Sequence, residues 1–264
     1  MSKPFVSVVT VVYNDISSIE KTLNSVINQG YTNFEYIVID GASCDGTFEL
    51  LSEYKSSITT LISEDDNGIY DAMNKGIGLC QGEWIIFMNS GDSFYSDSVL
   101  ESLFSSDLSK FDLVVGGAVA NSDWGTISLP VRDSGNIWKS FTHQAVFVRV
   151  DIGPDILFQE GFKCAADYDL IYRLLMSGVK PFIYANPVCY VTFSEAGHSA
   201  KFSLRSKYEV IVSILRNFSF RHSWYHLGYH VFKFFVNCVS VFLSRFFPNV
   251  LKKLRSARDS GSFV

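Results

Sequence analysis

The chain has 264 residues, 47% of them apolar, so it can bury a full core as one large domain or one domain with an appendage. Its net charge of −5 hides an asymmetry: residues 1–200 hold 11 Lys and Arg against 25 Asp and Glu, whereas 201–264 hold 11 against 2. A basic end rich in Phe and Val points to a membrane surface rather than nucleic acid, and the absence of CxxC spacing among Cys44, Cys80, Cys164, Cys189 and Cys238 argues against a zinc site or disulfide framework and for reduced core thiols.

Pro4 is followed at once by a strand-like run rather than by a basic and then an apolar region, so no secretory leader is expected and the protein is expected to stay in the cytoplasm. Residues 5–13 (FVSVVTVVY) are predicted as a strand buried on both faces. Residues 16–29 then place Ile19, Leu23, Val26 and Ile27 at helical spacing, with Ser17 or Ser18 as N-cap and Gly30 as stop. A second strand at 34–39 ends on Asp40, and the resulting βαβ unit implies a right-handed crossover and a parallel sheet. The polar loop from Asp40 to Thr47 opens a helix over 48–54. A carboxylate at a strand end beside a helix N-terminus can accept hydrogen bonds from a base or ribose, while Asp45 or Thr47 can equally cap the helix.

A short strand at 59–63 leads into Glu64-Asp65-Asp66-Asn67-Gly68, which reads as a solvated turn or as part of the same sheet edge. Ile69–Leu79 has Ile69, Ala72, Met73, Gly76 and Ile77 on one helical face, which puts Asn74 and Lys75 on the rim. There an amide and an ammonium could meet a ribose and a diphosphate, with a plain surface lysine as the alternative. Next comes 84–92 (WIIFMNSGD), an apolar run that stops at small polar residues and carries Asp92 to its carboxyl end. Ligand crevices lie outside such ends in open parallel sheets.

A short helix over 97–104 and a strand over 112–119 follow, the latter with Gly116-Gly117 permitting a bulge. Residues 121–136 read as a polar, irregular loop containing Arg132, and 142–148 as a strand that begins with His143 and Gln144. Asp167 and Asp169 fall at the start of a helix over 170–177, a placement the helix dipole already favours. Two closing strands are predicted at 181–185 and 187–193, then a mobile loop at 194–199 containing His198.

Beyond residue 201 the character changes. Ser203–Asn217 is an amphipathic helix with basic Arg205, Lys207 and Arg216. The apolar run 231–247 is interrupted by Lys233 and Arg245, leaving 11 uninterrupted residues where a membrane span needs roughly 20. His222, His226 and His230 would share a helix face beside Trp224, Tyr225 and Tyr229, as an interfacial aromatic band rather than a metal site. Lys252, Lys253, Arg255 and Arg258 would then face anionic headgroups, the rival being a helix that docks on the body or on a second subunit.

In this order the motifs VSVVTVVYN, YIVIDGASCDGTFELL, SEDDNGIYDAMNKGIGLCQGEWIIFMNSGD, HQAVF and ADYDLIYRLL resemble the inverting glycosyltransferases of family 2. The resemblance implies an α/β fold of the Rossmann-like GT-A type, with a mostly parallel central sheet, over residues 1–200, and the basic, apolar pattern of 201–264 adds the expectation of a helical, membrane-associating appendage there. It implies that Thr10 and Tyr13 line the nucleoside site, that Asp40 reads the uracil or ribose, that Asp65 or Asp66 and Asn74 complete that wall, and that Lys75 lies near the diphosphate. Asp92 would be the surviving ligand of Mn2+ or Mg2+, although the family's usual Asp-x-Asp or Asp-Asp is here Asn89-Ser90-Gly91-Asp92. Asp167 matches the general base, and His143 would orient the acceptor or approach the diphosphate.

The similarity is strongest to bacterial enzymes of O-antigen and other surface polysaccharide synthesis. It implies transfer of a hexose from a UDP-sugar, UDP-Glc or UDP-Gal being favoured, to a polyprenyl-diphosphate-linked sugar at the cytoplasmic face of the inner membrane. No nucleic acid partner is expected, and a homo-oligomer stays open. A non-catalytic nucleotide-sugar-binding or assembly subunit is the alternative. A nucleotidyltransferase would want a glycine-rich, basic phosphate loop after the first strand, where this chain has Tyr13-Asn14-Asp15.

Overall fold

Strand β1, Val6–Val12, is buried at every position, and the fold is arranged around that requirement. The computed structural model describes residues 5–122, 125–130, 141–152, 156–193 and 203–217, together with 228, 231, 234 and 235. Parallel strands flank β1 on both sides, β2 (Phe34–Asp40) and β4 (Trp84–Phe87), and β3 (Thr60–Ser63) pairs in parallel with β2. Successive residues of β1 point to opposite faces. Val6 and Val8 join Leu23 and Val26 of α1 (Ile19–Ile27) and Leu100 and Leu103 of α4 (Val99–Phe104) in one core. Val9 and Val11 join Met73 and Ile77 of α3 (Ile69–Leu79) and Leu170 and Leu174 of α5 (Ala166–Met176) in the other. Helix α3 sits so close to β1 that a Cβ on Gly76 would fall 2.5 Å from Val9 Cγ1.

The other half of the sheet departs from the mostly parallel arrangement. β8 (Val146–Arg149) runs antiparallel to both β4 and β6 (Leu113–Ser122), β9 (Pro181–Phe193) runs parallel to β6, and β5 (Ser93–Phe94) runs antiparallel to β9. The sheet is therefore mixed, in the order β3-β2-β1-β4-β8-β6-β9-β5 among the described residues. The first part of the expected loop at 121–136 is instead a hairpin: β7 (Gly125–Leu129) pairs antiparallel with β6. Its residues 125–128 are exposed, so an edge strand here needs no apolar alternation.

The two expected closing strands are one. Pro187 is accommodated because the β6–β9 register shifts on either side of Gly117, and a proline fits a sheet at such an irregularity. Helix α5 starts at Ala166, four residues earlier than expected, so Asp167 and Asp169 lie inside its first turn. Helix α2 spans Thr47–Glu53; its N-cap position is Gly46, and Asp45 Oδ1 accepts the Thr47 backbone N–H at 3.0 Å from one residue further out.

Four described cysteines are free, but only Cys189 is buried and Cys44 is exposed, so the expected core location holds for one of them. Helix α6, Ser203–Asn217, packs on α5 through Val210 and Ile214 against Ala165 and Tyr172. Arg132, His198, Cys238, the histidines at 222, 226 and 230, and the basic residues from 252 onward lie outside the described residues. Among the described residues no helix is long and apolar enough to cross a membrane.

Candidate functional site

The carboxyl ends of β1, β2 and β3 turn outward together and enclose a cleft of about 320 Å3 lined by Tyr13, Gly41, Ala42, Asp65, Asp66 and Gly68. Tyr13 is 65% exposed, so its ring is available to a planar ligand. A side chain at position 41 would close the cleft's floor, since a Cβ there would fall 2.5 Å from Asp66 Oδ2 and 3.2 Å from the Tyr13 ring. Beneath lies Asp40, fully buried. Its Oδ2 accepts the Ser43 N–H at 3.1 Å and the Ser63 O–H at 2.5 Å, while Oδ1 is buried with no partner. Such an orphaned carboxyl oxygen is costly unless a donor reaches it, which suits a nucleoside N–H or O–H.

Three expected binding residues have other partners. Thr10 does not line the cleft: it is fully buried below it, donates to the Met88 carbonyl at 2.7 Å and is hydrogen-bonded to the Tyr36 hydroxyl at 3.0 Å. Asn74 points away from the cleft floor; its amide pairs with both backbone groups of Phe158, at 2.9 and 2.8 Å. Lys75 braces the acidic loop, 2.8 Å from Glu64 Oε1 and donating to the Asp65 carbonyl at 2.7 Å. The Glu64 carboxylate holds its ammonium above the ordinary value, against a small effect of burial.

At the end of β4 the turn 89–92 is fixed by Thr22, whose hydroxyl donates to the Asp92 carbonyl at 2.7 Å and accepts the Gly91 N–H at 3.0 Å. The Asp92 carboxylate is buried; Oδ2 accepts from Gln144 Nε2 at 2.7 Å and Oδ1 from the Thr192 N–H at 3.2 Å. Burial pushes this carboxyl above its usual range, and the Gln144 hydrogen bond opposes that shift. Two neutral oxygens are buried without partners, Asn89 Oδ1 in this turn and Oε1 of Gln144, the residue that reaches Asp92. One carboxylate and two amide oxygens are hard donors of the kind Mg2+ and Mn2+ accept, ions that otherwise keep waters and phosphate oxygens. No group of three His, Cys, Asp or Glu suited to an all-protein cage occurs among the described residues.

The short turn before β8, His143–Ala145, sends its first two side chains in different directions. Gln144 reaches Asp92, and His143 bridges two elements: Nε2 lies 3.1 Å from Asn89 Nδ2 and Nδ1 lies 3.2 Å from Asp167 Oδ2. An amide nitrogen can only donate, so Nε2 accepts and the imidazole N–H is left on Nδ1, aimed at the Asp167 carboxylate. Tyr70 donates to Asp167 Oδ1 at 3.4 Å. Burial, with the Asp167 charge second, pushes the Tyr70 phenol up, so it stays a donor.

A second cleft, of about 280 Å3, opens on the other side of Gly68 and is lined in part by Tyr70, Phe162, Lys163 and Arg205. The geometry thus joins Asp92, His143 and Asp167 at one place and sets Tyr13, Asp40, Asp65 and Asp66 around another. Sequence reasoning missed Asn89, Gln144 and Tyr70. It also missed Asp15, which accepts the Ser90 O–H at 2.7 Å and brings a second carboxylate to the turn of β4. The adjacency of Gln144 to His143 was the one available signal.

Known proteins resemble this chain in sequence and in fold. The chain is 29% identical over 184 residues to a PGL/p-HBAD biosynthesis glycosyltransferase of Mycobacterium bovis (strain BCG / Pasteur 1173P2), covering 66% of this chain and 67% of that protein. It is 35% identical over 104 residues to the putative teichuronic acid biosynthesis glycosyltransferase TuaG of Bacillus subtilis (strain 168), covering 38% and 41%. Among solved structures, S. aureus TarS 1-349 in complex with UDP-GlcNAc superposes with a TM-score of 0.68 at 18% identity, over 86% of this chain and 71% of that one. The mannosyltransferase PcManGT from Pyrobaculum calidifontis, in complex with GDP-Man and Mn2+, superposes with a TM-score of 0.66 at 16% identity, over 87% and 69%. These two share the fold. Residues 7–150 match the family described as Glycosyl transferase family 2. That span runs from β1 through β8 and takes in more than half of the chain, which therefore belongs to this family of glycosyltransferases.

Proposed function

We propose that the protein transfers a hexose from a UDP-sugar to a lipid-linked sugar acceptor in bacterial surface polysaccharide synthesis, by a single displacement with inversion. The observation that carries this reading is the Asn89–His143–Asp167 chain, which ties a carboxylate of the second half of the fold to the strand end where Asp92 lies. Two relatives named for PGL/p-HBAD biosynthesis and for teichuronic acid biosynthesis support the pathway class, and a neighbour crystallised with UDP-GlcNAc supports the donor class.

In this mechanism Tyr13 covers the uracil and Asp40 Oδ1 accepts from the nucleoside, with Asp65 and Asp66 on the far wall. Asp167 takes the proton of the acceptor hydroxyl as that oxygen forms its bond to the anomeric carbon. The bond from that carbon to the diphosphate breaks on the opposite face, and UDP leaves with the electron pair. The Nδ1–H of His143 keeps Asp167 oriented until then. Mg2+ or Mn2+ would be held by Asp92 with the Asn89 and Gln144 amide oxygens, and when bound would neutralise charge on the diphosphate.

UDP release from a panel of UDP-sugars, with a synthetic sugar-diphosphate-lipid acceptor and Mn2+, tests the reading. Turnover with at least one donor is expected; its absence with every donor, together with retained UDP binding, would point to an assembly subunit instead. Asp40→Ala should weaken UDP binding by about 10- to 100-fold, the range for hydrogen bonds to a charged group, as read by titration calorimetry. Unchanged affinity would remove Asp40 from the nucleoside site.

The basic, apolar C-terminal sequence is proposed to contact the membrane surface from the cytoplasmic side, where a lipid-linked acceptor presents its head. Removal of 218–264, which keeps α6, should release the protein from vesicles containing anionic lipid in a flotation assay. Equal binding by the shortened chain would disprove the proposal.

A further inference from the structure

Helix α5 begins without a side-chain cap of its own, because its N-cap position is Ala165. The donors ahead of it are nevertheless satisfied, by a residue from another helix. The Glu209 carboxylate of α6, itself buried, accepts the backbone N–H of Lys163 at 3.1 and 3.0 Å, of Cys164 at 2.8 Å and of Ala165 at 3.2 Å. Arg205, one turn earlier on α6, donates to it from Nε at 2.8 Å. Three successive N–H groups converging on one anion make the kind of nest that elsewhere holds a phosphate. Burial raises this carboxyl, yet the hydrogen bonds from Arg205 and the backbone outweigh it and hold the group below its ordinary value, as an anion.

A second tie lies on the other side of Asp167. Asp169 is buried and accepts the Ser213 O–H at 3.0 Å and the Asn217 Nδ2–H at 2.9 Å, both from α6, as well as Arg173 Nε at 2.9 Å. Asp167 is therefore held between two attachments to the same helix, one at 163–165 and one at 169. Both lie beyond residues 7–150, the span of the family match.

We infer that Glu209 is a positioning residue for transfer: by filling the nest ahead of α5 it fixes the first turn of that helix, and so sets where the Asp167 carboxylate meets the acceptor hydroxyl. The inference rests on the reading of Asp167 as the base. Displacement of a reacting group by about 1 Å can cost 10²-fold in rate, whereas donor binding on the far side of Gly68 involves neither helix.

The full-length chain carrying Glu209→Ala should lose about 10- to 100-fold in kcat, with KM for the UDP-sugar and affinity for UDP unchanged. Acetate or formate, entering the vacated nest, should restore kcat in a saturable way. Glu209→Gln, which keeps the shape and loses the charge, should show a smaller loss and serves if the alanine variant does not fold. Asp167→Asn is assayed in parallel. Wild-type kcat in folded Glu209→Gln and Glu209→Ala, or a loss carried by donor KM alone, overturns the inference while leaving the base assignment standing. Full activity of Asp167→Asn would overturn the base assignment itself.

Discussion

Replacing Asp167 with Asn should lower kcat by about 10²- to 10⁴-fold, the contribution of a positioned general base, while UDP binding stays at the wild-type level. The substitution preserves volume, and an Asn Oδ1 can still accept from Tyr70, whose hydroxyl lies 3.4 Å from the carboxylate. What is lost is the capacity to take a proton. The new amide nitrogen would also face the His143 Nδ1–H, donor against donor, where the carboxylate now accepts across 3.2 Å. Steady-state UDP release gives kcat, and calorimetry with UDP gives the affinity. Residual turnover within tenfold of wild type would remove Asp167 from the chemistry.

The largest effect on stability is expected at the opposite end of β4. Trp84→Ala should destabilise the fold by about 3–5 kcal/mol, the range for deleting a buried aromatic side chain. Trp84 is 1% exposed, meets Phe104 edge-on with centroids 6.2 Å apart, and carries the Arg149 guanidinium 5.7 Å over its ring. The strands on both sides, β1 and β8, are fixed in register at Val6 and Arg149, which limits how far they can close over the space. For a domain of this size each kcal/mol lowers Tm by about 2–4 °C, so calorimetry should register a fall of roughly 6–20 °C. A shift of under about 2 °C would mean that the core closes over the cavity.

The half of the fold around β1 was legible because strands buried on both faces read as continuous apolar runs, and α3 because its apolar period is unbroken. Its bounds, Ile69–Leu79, match the expectation at both ends. Direction of pairing leaves no such trace. The run at Val146 looks like any buried strand, and only the structure shows it antiparallel to both neighbours. Polar Thr126 and Ser128 concealed an edge strand, and Pro187 looked like a break where a register shift lets the strand continue.

At the site, the carboxylates at strand and helix ends could be picked out from position alone, but their partners could not. Gln144 and Asn89 are neutral amides whose roles depend on which way a short turn aims them. Glu209 acts on residues 44 to 46 positions earlier in the chain, and no local spacing encodes that contact.

Two non-glycine residues next to the first cleft have left-handed backbones, Asn14 at φ 47° and Ala42 at φ 58°. That conformation costs about 1–2 kcal/mol for an L-residue, less for Asn. The two loops hold each other in it: the Asn14 N–H donates to Ser43 Oγ at 2.7 Å, and Asn14 Oδ1 accepts the Cys44 N–H at 2.8 Å. Folding therefore shapes the cleft walls in advance of any nucleotide. A ligand that enters has little loop entropy left to remove, so more of its contact energy is retained as affinity.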